Sequence, residues 1–334
     1  MDAKITKKRL SRMLSYDWLK IVGMAAGLIL VWTLIFTMTA TKMMPSQQFT
    51  VFNYTSNVSL SSTKFYNEYQ KAFDGGIFSY EVIEINENDL PTASDYAGTV
   101  LEARLTTDEG DVMLVPDIAN PDTAYEDDNG NTVYAYSHLE TFVYSYSYYL
   151  FNLDFDAEDS YFGQMRAYLN RYYDGDYKNG DLNEALVESD FRARVKKTKD
   201  KRYKKEKQIQ TAVENEILRV QKYQSALIEF EEYLRNGVVS LTRTTIEDPE
   251  NAGSNLIDGV YSINLCPDTK TMGGLAEQFA YRTTYTDENG VTQNTVSAQD
   301  MNITFFNLKG TADSFEYESL LYCNYLIRTY YKAA

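Results

Sequence analysis

Along most of this chain the apolar positions recur with a period of 2 or of 3.6, and once, near the N-terminus, they run without a break. Residues 21–41 (IVGMAAGLILVWTLIFTMTAT) carry no charge, and about 20 such residues rising ~1.5 Å each span a hydrocarbon core of ~30 Å. The pattern predicts one transmembrane helix. Lys4, Lys7, Lys8, Arg9, Arg12 and Lys20 precede it and only Lys42 follows closely. By the positive-inside rule residues 1–20 are then a basic cytoplasmic tail, and the mass after the helix is extracytoplasmic. The apolar run is longer than that of a cleavable signal peptide, and Thr37-Met38-Thr39-Ala40 matches a small-residue cleavage site poorly. No cysteine stands before Cys266 to carry a lipid. A retained signal anchor at the cell membrane is the expectation. Trp18 occupies a belt position, and Gly23 and Gly27 offer a weak close-packing face.

After a short tether at 42–48 the pattern becomes that of a folded domain, 49–334. Residues 49–53 (FTVFN), 78–85 (FSYEVIEI) and 111–115 (DVMLV) read as strands from their β-branched and aromatic content. Between the first two, Phe65, Tyr66, Tyr69 and Phe73 recur at helical spacing, behind a Ser61 or Ser62 cap and ahead of Gly75-Gly76. Between the second and third, Tyr96, Val100 and Leu101 follow Thr92 or Ser94 toward Arg104. This alternation predicts parallel pairing and an α/β lobe.

The middle, about 138–236, is predicted to be mainly helical. EDDNGN at 126–131 reads as a hairpin turn or loop ahead of it. HLETFVYSYSYYLFN at 138–152 fits a helix through Phe142, Tyr146 and Tyr149, and a strand through Phe142, Tyr144, Tyr146 and Tyr148; helix is favoured. Phe162, Met165, Leu169 and Tyr172 predict a helix over 161–173. A longer helical stretch covers 182–234, with Val213, Ile217, Val220, Leu227, Phe230 and Leu234 near one face and Asn236-Gly237 as its stop. Beyond it, 238–246, 260–265 and 301–308 read as strands. A hairpin is expected within 281–296, turning at 287–290, and an amphipathic helix at 315–331.

Charge changes this picture in one place. The whole chain carries −16, while residues 43–334 carry −21. Such a domain repels phosphate backbones, so nucleic acid is not an expected partner. Yet residues 192–207 read RARVKKTKDKRYKKEK. A solvated helix face or an exposed hairpin is the ordinary reading of such a run; contact with anionic headgroups or a wall polymer is the sharper one. The 29 tyrosines suit strands, wet interfaces and ligand clefts alike.

Candidate chemistry adds little. Cys266 and Cys323 lack zinc spacing and would form either one long-loop disulfide or two buried thiols. His138 stands before an aromatic run with no nucleophile motif. Of the acidic clusters, DGDYKNGDLNE at 174–184 resembles a calcium loop, but Lys178 takes a ligand position. No phosphate loop is present, and no enzymatic activity, metal or cofactor is expected.

The order of elements, with three local phrases, resembles the extracellular solute-binding proteins of ABC importers. The phrases are DVMLVPD at 111–117, GVYSINL at 259–265, and NITFFN at 302–307 followed by a helix. The resemblance implies a two-lobed α/β ectodomain with a helical middle, capturing a small ligand in an interlobe cleft beside a permease. Ligands in open α/β sheets gather beyond the C-terminal ends of strands, which singles out Thr55, Ser56 and Asp117. The ectodomain lacks a lipidation cysteine, and both tryptophans, Trp18 and Trp32, lie in the anchor region, so ring stacking on a ligand would fall to tyrosine. The alternative is a non-transport interaction or scaffold protein of a bacterial envelope, using the same fold.

Overall fold

The computed structural model describes residues 7–39, 47–53, 71, 73–90, 96–200, 202–248, 253–265, 282–286, 292–296, 301–308 and 317–330. The chain divides into two compact units, Met1–Met44 and Pro45–Ala334. In the first, helix α1 covers Lys7–Thr39. Its segment Trp18–Thr37, 20 residues with a mean hydropathy of 2.2, is long and apolar enough to cross a membrane, as an anchor or a signal sequence would. The hydroxyls of Thr33 and Thr37 donate to the carbonyls of Ile29 and Thr33 at 2.8 and 2.9 Å. These two polar groups therefore demand nothing of an apolar solvent.

The second unit is mixed α/β. Its largest sheet contains β1 (Gln48–Asn53), β2 (Glu84–Asp89), β3 (Val112–Pro116), β6 (Ser240–Glu247), β7 (Asn255–Asn264) and β10 (Met301–Phe305) in the order β2-β1-β3-β10-β7-β6. β1 pairs parallel with both β2 and β3, as the strand–helix alternation predicts. β10 inserts antiparallel between β3 and β7, and β6 and β7 form a hairpin. Two further hairpins join β4 (Ala124–Glu126) to β5 (Thr132–Tyr134) and β8 (Arg282–Thr286) to β9 (Thr292–Val296). The turn at 287–290 lies outside the described residues. The sheet thus draws its strands from both ends of the second unit.

Period-2 alternation divides the core cleanly. Phe49, Val51, Val112, Leu114, Ile303 and Phe305 enter one cluster, whereas Phe52, Met113, Val115 and Phe306 enter another. Strands buried on both faces are apolar at most positions; β3 is apolar throughout, while β10, equally buried, alternates Met301, Ile303 and Phe305 with Asn302 and Thr304. The first face is covered by α4 (Tyr161–Tyr172), α6 (Glu206–Arg235) and α7 (Glu318–Tyr330); the second by α2 (Ala97–Leu105) and α3 (His138–Tyr146). Phe162 on α4 and Phe230 on α6 stack at 4.9 Å, both fully buried.

Several helix ends follow from local chemistry. Ser137 and Glu140 form a reciprocal capping box at the start of α3, and Ser160 caps α4. The aromatic segment at 138–152 follows the helix reading to Tyr146, continues as a 3-10 turn to Tyr149 and only then extends; Phe142, Tyr144, Tyr146 and Tyr148 do not form a strand. Gly76 (φ +65°) and Gly237 (φ +66°) adopt the left-handed conformation that ends a helix.

Two expectations need correction. The strand expected at 78–85 begins only at Glu84, because side chains take the backbone groups that a neighbouring strand would otherwise serve. Ser79 N–H donates to Glu318 at 3.0 Å, and Lys222 Nζ donates to the carbonyls of Gly76 and Phe78. The expected helix forms as α2, whose buried face is Ala97, Leu101 and Leu105, while Tyr96 just ahead of it is 74% exposed and Val100 41%. The helical stretch 182–234 is two helices, α5 (Glu184–Thr198) and α6, parted where Lys199 turns left-handed at φ 52°. Thr92, Ser94 and most of the expected helix after Ser61 lie outside the described residues. Phe230→Ala should cost about 3–5 kcal/mol, since it removes a fully buried ring and leaves a cavity. Urea denaturation followed by circular dichroism measures this.

Candidate functional site

On the sheet's first face, three helices each turn one stripe of polar and aromatic side chains toward a common space. α4 contributes Tyr168, Arg171 and Tyr172; α5 contributes Asp190, Phe191, Arg194, Lys197 and Thr198; α6 contributes Glu216, Arg219 and Tyr223. The spacings are i, i+3, i+4 and i+7, which bring residues to one side of a helix. With Tyr317, which precedes α7, they line a cavity of about 370 Å3. Cavities holding small molecules begin at about 300 Å3. Four cations face two carboxylates here, within a domain whose net charge is −21.

The floor is a buried ionic network. Glu216 pairs with Arg219 on its own helix and with Arg194 of α5 at 3.2 Å, and accepts the Tyr80 hydroxyl at 2.9 Å. Glu216 and Arg219 are both about 3% exposed, so neither charge is hydrated. Burial alone would raise the Glu216 carboxyl, but Arg219 and Arg194 outweigh it and hold the group below its usual 4.5. At the rim Arg171 pairs with Asp190 at 2.5 Å, and the Tyr172 hydroxyl donates to the same carboxylate at 3.0 Å. The Arg194 and Arg219 guanidinium groups lie 5.1 and 5.6 Å from the ring centroids of Phe191 and Tyr223.

A second carboxyl behind the wall behaves oppositely. Glu318 on α7 accepts from the Tyr223 hydroxyl at 2.7 Å and from Ser79 N–H. It is buried, and its burial outweighs these bonds and raises its pKa.

No protein-family model, no curated protein and no solved structure matches this chain. The cavity therefore has to be read from its own chemistry. With more cations than carboxylates in the lining, its walls favour an anion, and they can cover an apolar or ring-bearing portion with tyrosine.

The residues singled out from sequence lie elsewhere. Asp117 follows β3, half-buried, and is not among the cavity lining; Thr55 and Ser56 fall outside the described residues. His138 is the first residue of α3, buried, with burial lowering its pKa. Cys323 is a buried free thiol, and Cys266 lies outside the described residues. Asp176 closes its own loop by accepting from Lys178 N–H and Asn179 N–H at 3.1 Å. The cavity residues carried one signal in the sequence. Glu216, Arg219 and Tyr223 interrupt the apolar face of Val213, Val220 and Leu227, where polar groups are out of place unless partnered.

Glu216→Gln should destabilise the protein by about 3–5 kcal/mol at neutral pH, because it strips the countercharge from buried Arg219. The two glutamates should also give opposite pH signatures. The stability from Glu216 is present above its unfolded value near 4.5 and lost as pH falls through its lower folded value. That from Glu318 is present below its unfolded value and lost as pH rises through its higher folded value. In urea melts across pH, the deficit of Glu216→Gln relative to wild type should therefore shrink toward acid. That of Glu318→Gln should shrink toward alkali.

Proposed function

We propose that this chain is a single-pass, membrane-anchored extracytoplasmic protein that captures a small anionic ligand in the cavity between α4, α5 and α6. The single observation carrying this reading is a cationic, tyrosine-walled cavity in an otherwise strongly acidic domain. Acidic exteriors repel anions, so an excess of cations at one concave site marks where an anion is stabilised. The anchor is α1, and the basic residues ahead of it favour an N-terminus in the cytoplasm. In the solute-binding reading, the helices α4 to α6 stand in place of a second α/β lobe, and the ligand lies among them rather than beside Asp117. A permease or another envelope protein would then receive the ligand.

A second reading, an envelope scaffold, is favoured by the exposed rings of Tyr96, Tyr125, Tyr134, Tyr144 and Tyr148. Tyrosine is enriched at protein interfaces because it combines apolar area with a polar tip.

Thermal-shift and calorimetric titration of the detergent-solubilised chain should find binding to phosphate, pyrophosphate, citrate or a sugar phosphate, and none to neutral sugars or polyamines. Arg171→Gln and Lys197→Gln should each weaken that binding by about 10-fold or more, as expected for loss of a charge-assisted hydrogen bond. Silence toward every anion, or a response to polyamines alone, would sink the capture reading and leave the scaffold.

A further inference from the structure

The basic run at 192–207 divides by residue type. Each of its arginines is held by carboxylates: Arg192 by Glu188 and Glu206 at 2.7 Å, Arg194 by Glu216, and Arg202 by Asp200 at 2.7 Å and Glu81 at 2.8 Å. The described lysines, at 196, 197, 199, 204, 205 and 207, are all exposed, and among the described residues none of the six enters an ion pair. Arginine forks suit internal pairing, whereas lysine is a hydrated point charge on a mobile stem. The hairpin between α5 and α6 is therefore stitched by its arginines and leaves its lysine charge for something outside the chain.

Two further observations say what that is. Lys197 and Thr198 belong both to the hairpin and to the cavity rim, so the lysine surface is continuous with the proposed anion site. The hairpin's apolar side chains, Val195 and Tyr203, pack inward around Phe191. The tip thus offers charge without the apolar area that a surface helix sinks into a bilayer. A dissolved polymer fits this better than a membrane.

We propose that cavity and hairpin form one site for a linear polyanion of the phosphate type, its terminal charged group in the cavity and its following charges along the lysines. The proposal rests on the anion-capture reading. The acidic remainder of the domain would repel the same polymer and so orient it onto the hairpin.

The test uses the full chain in nanodiscs of zwitterionic lipid, with pyrophosphate, long-chain polyphosphate, polyglutamate and anionic vesicles as probes. The variant replaces lysines 196, 199, 204, 205 and 207 by glutamine and keeps Lys197, which lines the cavity. Polyphosphate should bind wild type about 100-fold more tightly than pyrophosphate, the gain expected when a second contact becomes intramolecular. The variant should lose most of that gain, flatten the dependence of log K on log salt by about 0.7 per lysine engaged, and bind pyrophosphate unchanged. Polyphosphate no tighter than pyrophosphate, or unaffected by the five substitutions, would overturn the joint site while leaving anion capture intact. Lysine-dependent polyphosphate binding without pyrophosphate binding would overturn the capture reading and the joint site with it. Stronger binding to polyglutamate would overturn the phosphate assignment, and equal binding to anionic vesicles would give the hairpin to the membrane.

Discussion

Glu216 is the point on which the helical side of this protein turns. One carboxylate receives Arg219 from its own helix, Arg194 from α5 and Tyr80 from the segment before β2. Removing two such charges from water costs several kcal/mol per ion, and their attraction offsets this only where the remaining lone pairs and protons are also satisfied. Both oxygens of Glu216 accept in this way, one from the two arginines and the other from Tyr80. This pairing also settles how α5 is held, since α5 buries only Val187 and Phe191, too little apolar surface to fix a helix register without help. The ion pair supplies what the hydrophobic stripe lacks.

The same constraint keeps the cavity open. An apolar space lined by leucine can relax inward when atoms are removed, but a wall of paired arginines and hydrogen-bonded tyrosines cannot collapse without stranding charge. Behind that wall the sheet is held differently: apolar clusters lie on both of its faces, and β1, β3 and β10 are buried between them. That frame thus carries a charged, aromatic space whose shape electrostatics maintains. Glu318 couples the two by accepting from Tyr223 of the cavity and Ser79 of the segment leading into the sheet.

Charge is also sorted in space. Around the cavity Arg194, Arg202 and Arg219 are drawn into pairs with carboxylates, the described lysines of the α5–α6 hairpin stand exposed, and the domain as a whole is acidic. A field of this kind steers charged ligands before any contact is made, and the proposed anion site would draw on it.

Much of this was legible in the chain alone. The apolar run of α1, the strands β1, β3 and β10, the helices α4 and α7 and the glycine stops at 76 and 237 are local statements. They follow from side-chain period and backbone freedom, which neighbouring residues determine. Local pattern is insufficient where partners come from afar. Residues 78–83 look like a strand, but Lys222 and Glu318 take their backbone groups. Tyr96 and Val100 share helical spacing with Leu101, yet only packing against the sheet decides which side of α2 is buried. The rule that points to Asp117 concerns strand ends and does not address a cavity among helices. What the sequence by itself determined is an apolar helix of membrane length followed by an acidic α/β domain with one basic run. What only the tertiary structure decided is that Glu216, Arg219 and Tyr223 belong to a cavity. Their meaning depends on Arg194, Tyr80 and Glu318, brought to them from 22 to 136 positions away, and no local pattern records which distant charge will answer a buried one.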